Sequence, residues 1–256
     1  MLTLLINLDR APERMQRMEA LMQKWNLSFE RISAVDGTKF SSNDIENYRL
    51  PYHKRRYFLK DMTAGEIGCY LSHLEAWKRL VASAQEWALV LEDDLAFLRD
   101  PTPLLSNTDW IPEGVKLVQL ARGYPAMCSV VRDKRVIPVS DTEKLMVVLE
   151  GMNGGTQGYF IHRDVAEELI KISTQVPAPS DDILFSFATP LRKKCTPWFL
   201  SPALIIPNDN GVTYVGRSKG KVKTSFSRGP SQYLGRVLQK FIAKFKSRIF
   251  GISDIR

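Results

Sequence analysis

Paired cysteines are missing from this chain. It has three among 256 residues, Cys69, Cys128 and Cys195, far apart and without a CxxC pair. That excludes a disulfide framework and a zinc knuckle, and it fits a reducing, cytoplasmic compartment. Histidine is equally scarce, with three in all, and these form no two-metal cluster; nor is there a GxxxxGK[ST] phosphate loop. No apolar run reaches the ~18 residues of a spanning helix. The apolar start, Met1 to Leu8, has neither a basic flank nor a cleavage site, so no export signal is recognisable. Repeats and low-complexity segments are also lacking. What is present, 44% hydrophobic residues, is enough to bury a full core as one large domain or one domain with an appendage.

Charge is unevenly divided. The formal net charge is +8, yet eleven basic residues and a single acid, Asp254, lie between Arg217 and Arg256, which leaves the first 216 residues close to neutral. The basic tail has a helical period, with Leu234, Val237, Leu238, Phe241, Ile242, Phe245 and Ile249 on one stripe and Arg236, Lys240, Lys244 and Lys246 off it. We expect residues 1–224 to form the catalytic domain and 225–256 a linker and basic amphipathic helix. Docking on the domain and peripheral binding to an anionic membrane surface are both open for that helix. Nucleic acid is not expected, because no aromatic stacking platform accompanies the charge.

Leu2–Ile6 reads as a buried strand, residues 12–25 as a helix with Pro12 in its first turn, and Ser28–Ile32 as a second strand. This order predicts a parallel α/β sheet. Residues 40–60 have no clear period and read as a loop or short helices. Thr63 and Glu66 form a capping-box pattern ahead of a helix whose apolar stripe runs from Ile67 to Leu80. Further strands are expected at Val115–Leu120, Val136–Val139 and Thr156–Ile161, and a helix at Asp164–Ile172.

Glu92-Asp93-Asp94 closes the apolar run Trp87–Leu91. Three adjacent carboxylates at a buried strand end repel one another and cost several kcal/mol to desolvate unpaired. Two readings are open: a divalent-cation site, with oxygen ligands suited to Mg²⁺ or Mn²⁺ and a nucleotide diphosphate as co-ligand, or a solvated strand end paired with Arg99 or Lys78.

Several patterns occur in one order: Ile6-Asn7-Leu8-Asp9-Arg10 with Arg14, Ala34-Val35-Asp36-Gly37, Gly65-Glu66-Ile67-Gly68-Cys69-Tyr70-Leu71-Ser72-His73, Glu92-Asp93-Asp94, Gly155-Thr156-Gln157-Gly158-Tyr159-Phe160-Ile161, and Pro179-Ser180-Asp181. Together they resemble the family 25 glycosyltransferases, the lipooligosaccharide galactosyltransferases. The resemblance implies a GT-A-like nucleotide-binding α/β fold with a mainly parallel central sheet flanked by helices. It also implies a UDP-sugar donor, most simply UDP-galactose with UDP-glucose as rival, inversion at the anomeric carbon, and a lipooligosaccharide or other glycan acceptor at the inner membrane face. By the same resemblance Asp94 binds Mn²⁺ or Mg²⁺ with Glu92 as an outer partner, Asp93 meets the ribose or the metal's water shell, and Asp181 is the base.

Asn7 and Arg14 follow the first strand, where α/β sheets bind ligands. With Asp36, Gly155 and Thr156 they complete the expected donor site, although Arg14 pairing with acids, Gly155 as a plain turn, and Ser180 or Asp181 as a helix cap are competing readings. His73 and Ser72 read as satisfied structural residues. The segment Leu204–Asn210 lacks the glutamine that family members tend to carry after the Pro-Ala-Leu strand; Asn208, Asp209, Asn210, Arg217, Ser218 or Lys219 are candidates to replace its donor contacts.

Overall fold

The computed structural model describes residues 1–51, 61–121, 131–150, 155–186 and 190–208, with backbone alone at 131–134, 148–150 and 190. The expected 224/225 boundary and basic tail helix lie outside the described residues, as do Cys128, Asp209, Asn210, Arg217, Ser218 and Lys219.

In chain order the elements are β1 (Leu2–Asn7), α1 (Pro12–Lys24), β2 (Glu30–Ser33), α2 (Ser42–Tyr48), α3 (Ala64–Ala82), β3 (Trp87–Glu92), β4 (Leu95–Phe97), α4 (Thr102–Leu105) and β5 (Leu117–Gln119). They continue with β6 (Val131–Pro138), β7 (Lys144–Glu150), β8 (Gly158–His162), α5 (Arg163–Ile172), α6 (Ser180–Phe185), β9 (Trp198–Ser201) and β10 (Ile205–Pro207). The central sheet runs β2-β1-β3-β8-β5-β9-β7-β6, and β4 pairs with β10 separately. This is the α/β architecture expected. Its parallel pairs are β1–β2, β1–β3 and β5–β9, while β8, β7 and β6 run antiparallel to their neighbours. Sequence periodicity did not announce the short β4, β9 and β10, whose pairing is long-range, or β7, the hairpin partner of β6.

The strands alternate between two cores. Leu4, Ile6, Ala88, Val90, Tyr159 and Ile161 face the layer holding α3, α5 and α6, whereas Leu5, Leu89, Leu91 and Phe160 face the layer built on Met18 and Met22 of α1 with Leu104 and Leu105. Burial on both faces explains the near-continuous apolar run of β3. The helix α3 starts as expected: the Thr63 hydroxyl accepts from the Glu66 amide and the Glu66 carboxylate from the Thr63 amide. Its Gly68 lets the helix ride on the 35–37 backbone, since a Cβ there would lie 2.6 Å from the Val35 carbonyl oxygen. Ser72 fastens the same contact, donating to the Gly68 carbonyl at 2.7 Å and accepting from the Val35 amide at 2.9 Å.

Two parallel pairings position the site. Register sets Ile6 of β1 against Ile32 on one side and Glu92 on the other, so the carboxyl ends of β1, β2 and β3 open on one edge, where α/β sheets bind ligands. Among the described residues no helix is long and apolar enough to cross a membrane.

Candidate active site at the carboxyl ends of β1 and β3

The acidic triplet does not run out into solvent. Asp93 is 7% exposed and clamped by the neighbouring strand and helix: its Oδ2 accepts from Asn7 Nδ2 at 2.7 Å, its Oδ1 from Arg14 Nη1 at 3.0 Å, and its carbonyl from the Arg17 guanidinium. Asn7 is oriented in turn by Arg31, whose Nη2 donates to its Oδ1 at 2.9 Å. The cations that answer the triplet are therefore Arg14 and Arg17 of α1. Arg99 instead pairs with Glu143 at 3.3 Å and donates to the Ala203 carbonyl at 2.6 Å, and Lys78 is exposed on α3. Arg14 takes the acid-pairing reading, with Asp93 as a partner at 3.0 Å.

Glu92 turns inward. Its Oε1 receives His73 Nε2 at 2.9 Å and the Thr156 hydroxyl. His73 Nδ1 lies 2.9 Å from the Tyr159 hydroxyl, which accepts from Trp77 Nε1 at 3.0 Å. The donors balance when Trp77 gives to Tyr159, Tyr159 to His73 and His73 to Glu92. Burial would raise the Glu92 carboxyl, but the hydrogen bonds from His73 and the Thr156 hydroxyl, with the Arg14 charge, outweigh it and hold it low. His73, 1% exposed, is satisfied at both nitrogens as its sequence setting suggested. A ring nitrogen of His73, the Cys69 thiol and a Glu92 carboxylate oxygen come within 4.8 Å of one another, but the ring nitrogens are engaged by Tyr159 and Glu92 and the thiol meets the Ser180 hydroxyl.

Asp94 is the opposite case. Its Oδ1 is buried with no hydrogen-bond partner among the described residues, a costly arrangement for a carboxylate. Burial first, then the charges of Glu92 and Asp93, push its carboxyl up to about 7, and Arg14 and Arg17 only partly offset this. A divalent cation would relieve both the orphaned oxygen and the repulsion, and a carboxylate oxygen suits Mg²⁺ or Mn²⁺. The Asp94 carbonyl accepts from the Asn208 amide at 2.6 Å, which brings one of the residues after the Pro-Ala-Leu strand to this edge.

These groups bound a cleft of about 340 Å³ whose walls include Asn7, Arg14, Asp36, Glu92, Asp93 and Asp94, a volume suited to a small ligand. Asp36 accepts from Arg10 Nε at 2.7 Å and caps the short turn at Gly37–Lys39 through the Thr38 amide and hydroxyl. Burial acts against its charge, but the Thr38 bonds and Arg10 hold its carboxyl below the usual range.

Gly155, Thr156 and Asp181 stand outside that lining. Asp181 lies in the first turn of α6, where Pro179 is the N-cap residue, so neither Ser180 nor Asp181 occupies that position, though the Asp181 carboxylate accepts from the Asp182 amide at 2.9 Å. Burial raises the Asp181 carboxyl despite N–H donors from Asp182 and Gly155, and Glu92 adds to the rise. Ser180, 3% exposed, ties α6 to α3 through the Cys69 thiol at 3.3 Å. Arg17, Arg31 and Tyr159 were not singled out from sequence; their basic or aromatic character alone carries no sign of partners 76, 24 and 86 positions away.

Residues 1–184 match the description of Glycosyltransferase family 25 (LPS biosynthesis protein). Among curated relatives, a Glycosyltransferase 25 family member of Drosophila pseudoobscura pseudoobscura is 41% identical over 101 residues, covering 36% of this chain and 15% of the relative. Procollagen galactosyltransferase 2 of Mus musculus is 33% identical over 96 residues, 36% of this chain and 15% of the relative. Inactive glycosyltransferase 25 family member 3 of Homo sapiens is 38% identical over 95 residues, 36% of this chain and 16% of the relative. The chain thus spans a small part of the length of these relatives. A solved glycosyltransferase involved in the glycosylation of the major capsid of PBCV-1 is 11% identical, with a TM-score of 0.42 over 83% of this chain and 93% of that one, too distant to bear on the site. The ordered motifs, the α/β fold and a family match that takes in every clamped acid of the cleft edge agree: this chain belongs to glycosyltransferase family 25.

Proposed function

We propose that this protein is a metal-dependent, inverting glycosyltransferase that moves a hexose, galactose from UDP-galactose, onto a lipopolysaccharide-type glycan acceptor. The observation that carries the reading is the buried, unpartnered Asp94 oxygen on the wall of a cleft at the sheet's carboxyl edge. The family's description as LPS biosynthesis proteins supports the acceptor class, and relatives named procollagen galactosyltransferases support galactose.

In this reading Asp94 holds Mn²⁺ or Mg²⁺, with Glu92 behind it. When bound, such an ion neutralises charge developing on a departing diphosphate. The chain's own residues do the rest. Asn7, Arg14 and Arg17 lock Asp93 so that the cleft edge is rigid before a donor arrives. Asp181, with a raised proton affinity, takes the proton of the acceptor hydroxyl as its oxygen bonds to the anomeric carbon. The carbon–oxygen bond to the diphosphate breaks on the opposite face, and UDP leaves with the electron pair. The basic segment 225–256 would hold the enzyme peripherally at an anionic membrane face.

A relative named inactive makes an idle binding protein the second reading. Incubation with Mn²⁺ and separate UDP-sugars, scored by UDP release, discriminates the two. Turnover is expected with UDP-galactose, abolished by chelation and lost in Asp94→Ala and Asp181→Asn. Turnover that survives both substitutions would overturn the residue roles, and binding without turnover would favour the idle protein.

A further inference from the structure

Asn7 ends β1, is 1% exposed and lines the cleft, yet its side chain is fully hydrogen-bonded within the protein. Its Nδ2 donates to Asp93 Oδ2 at 2.7 Å and to the Ala11 carbonyl at 3.2 Å. Its Oδ1 accepts from Arg31 Nε at 3.1 Å and from Arg31 Nη2 at 2.9 Å. An amide side chain has donors and lone pairs for no more than these, so it keeps nothing for a ligand. Arg31 only donates, while the ionised Asp93 carboxylate and the Ala11 carbonyl only accept, so the amide has one orientation. Register brings Arg31 there: on β2 it pairs with Leu5 while Ser33 pairs with Asn7, and residues two apart on a strand share a face. The guanidinium is anchored on its outer side too, since Nη2 donates to Asp9 Oδ1 at 2.6 Å and the Ser33 hydroxyl donates to Asp9 Oδ2 at 2.8 Å. Arg31 itself does not line the cleft.

We propose that Arg31 is a positioning residue for donor binding: it fixes the Asn7 amide, the amide holds the Asp93 carboxylate on the cleft wall, and neither the Arg31 nor the Asn7 side chain touches the donor. The inference rests on the transferase reading above. Asp93 is the member of this link that meets the ligand. A carboxylate has about four acceptor sites, of which Asn7 and Arg14 take one each, so it can also accept from a donor hydroxyl or a metal-bound water. Without Arg31 the buried Asn7 oxygen loses both of its donors, and the amide can turn that oxygen toward Asp93, where the two repel. Arg14 still holds Asp93 Oδ1, so the carboxylate is loosened at Oδ2 and not released. In the proposed reaction Asp181 takes the proton and the ion on Asp94 answers the leaving group. Asp93 therefore binds the donor alike in ground and transition states, and its misplacement is read in KM.

The test is a double-mutant cycle of Arg31→Met and Asn7→Ala in UDP release with Mn²⁺, UDP-galactose and acceptor, with thermal melting alongside. Arg31→Met keeps the aliphatic stem and removes every donor. The link predicts that it raises donor KM about 10-fold, the weight of one net hydrogen bond, with kcat within about twofold. Added to Asn7→Ala, it should change KM by less than about a further twofold, because the path it acts through is already cut. Factors that multiply would mean that Arg31 acts apart from Asn7 and would overturn the link. Arg31→Lys keeps the charge without the fork that serves Asn7 and Asp9 together. It should stay impaired, which keeps the proposal testable if Arg31→Met does not fold; a wild-type donor KM in Arg31→Lys would overturn the link. A lowered Tm in Arg31→Met with donor KM unchanged would make Arg31 a structural tie alone, and leave the transferase reading standing. Lack of turnover by wild type with any UDP-sugar removes the transferase reading itself, and the link falls with it.

Discussion

Replacing Asp94 with asparagine should make the metal-free protein more stable and remove its response to metal. In the folded chain the carboxyl is pushed from 3.8 up to about 7 by burial, Glu92 and Asp93. A carboxyl held more tightly protonated when folded loses stability as pH rises between those two values. At about 1.4 kcal/mol per pH unit the span corresponds to roughly 4 kcal/mol. Asp94 keeps partial contact with water, so we take half, about 2 kcal/mol, as the expected gain. For a chain of this length that is about 4–8 °C in Tm. The gain should be nearly absent at pH 4, grow through neutrality and be complete by pH 8. Mn²⁺ should reverse the order. At ~100 times its Kd it would stabilise wild type by about 2.7 kcal/mol and leave Asp94→Asn unmoved. Melting curves at pH 4, 6 and 8, with and without Mn²⁺, read all of this. The reasoning fails if Asp94→Asn melts below wild type at pH 8 without metal, or if Mn²⁺ raises both proteins equally.

His73→Ala would strip both the Glu92 carboxylate and the Tyr159 hydroxyl of a buried partner, for a loss of about 3–5 kcal/mol measured by denaturant unfolding. Gly68→Ala would drive a methyl to 2.6 Å from the Val35 carbonyl and 2.9 Å from the Gly37 amide nitrogen; we expect about 2 kcal/mol of destabilisation and weaker UDP-sugar binding by titration, since Val35 and Gly37 line the cleft. Turnover should fall on the acid side as Asp181 gains its proton, at a pH above the ordinary carboxylate range because burial raises it. A kcat profile flat down to pH 4 would remove Asp181 as base.

Local chemistry made much of the N-terminal half legible. Pro12 opens α1, the Thr63–Glu66 box opens α3, and the unbroken apolar run to Leu91 marks a strand covered on both faces. The same local rules left the second half obscure. Strands as short as β9 and β10, of four and three residues, carry little periodicity of their own and exist because β5, β7 and β4 offer edges to pair with. At the cleft, Arg14 looked equally able to meet Asp36 or a nucleotide. Register decides for Asp93, because β1 and β3 are neighbours and α1 leaves the end of β1 beside that strand's last residues.

The residues that bear charge, and the strand end that gathers them, were determined by the sequence: three acids after an apolar run must find cations wherever the chain goes. Which acid is satisfied and which is left wanting was decided by the tertiary structure. Parallel pairing of β1 with β3 gives Asp93 to Asn7 and Arg14, packing of α3 gives Glu92 to His73, and Asp94, on the cleft wall, keeps a buried Oδ1 without a hydrogen-bond partner among the described residues. Hydrogen bonds act over about 3 Å, and only the folded chain sets which side chains come that close.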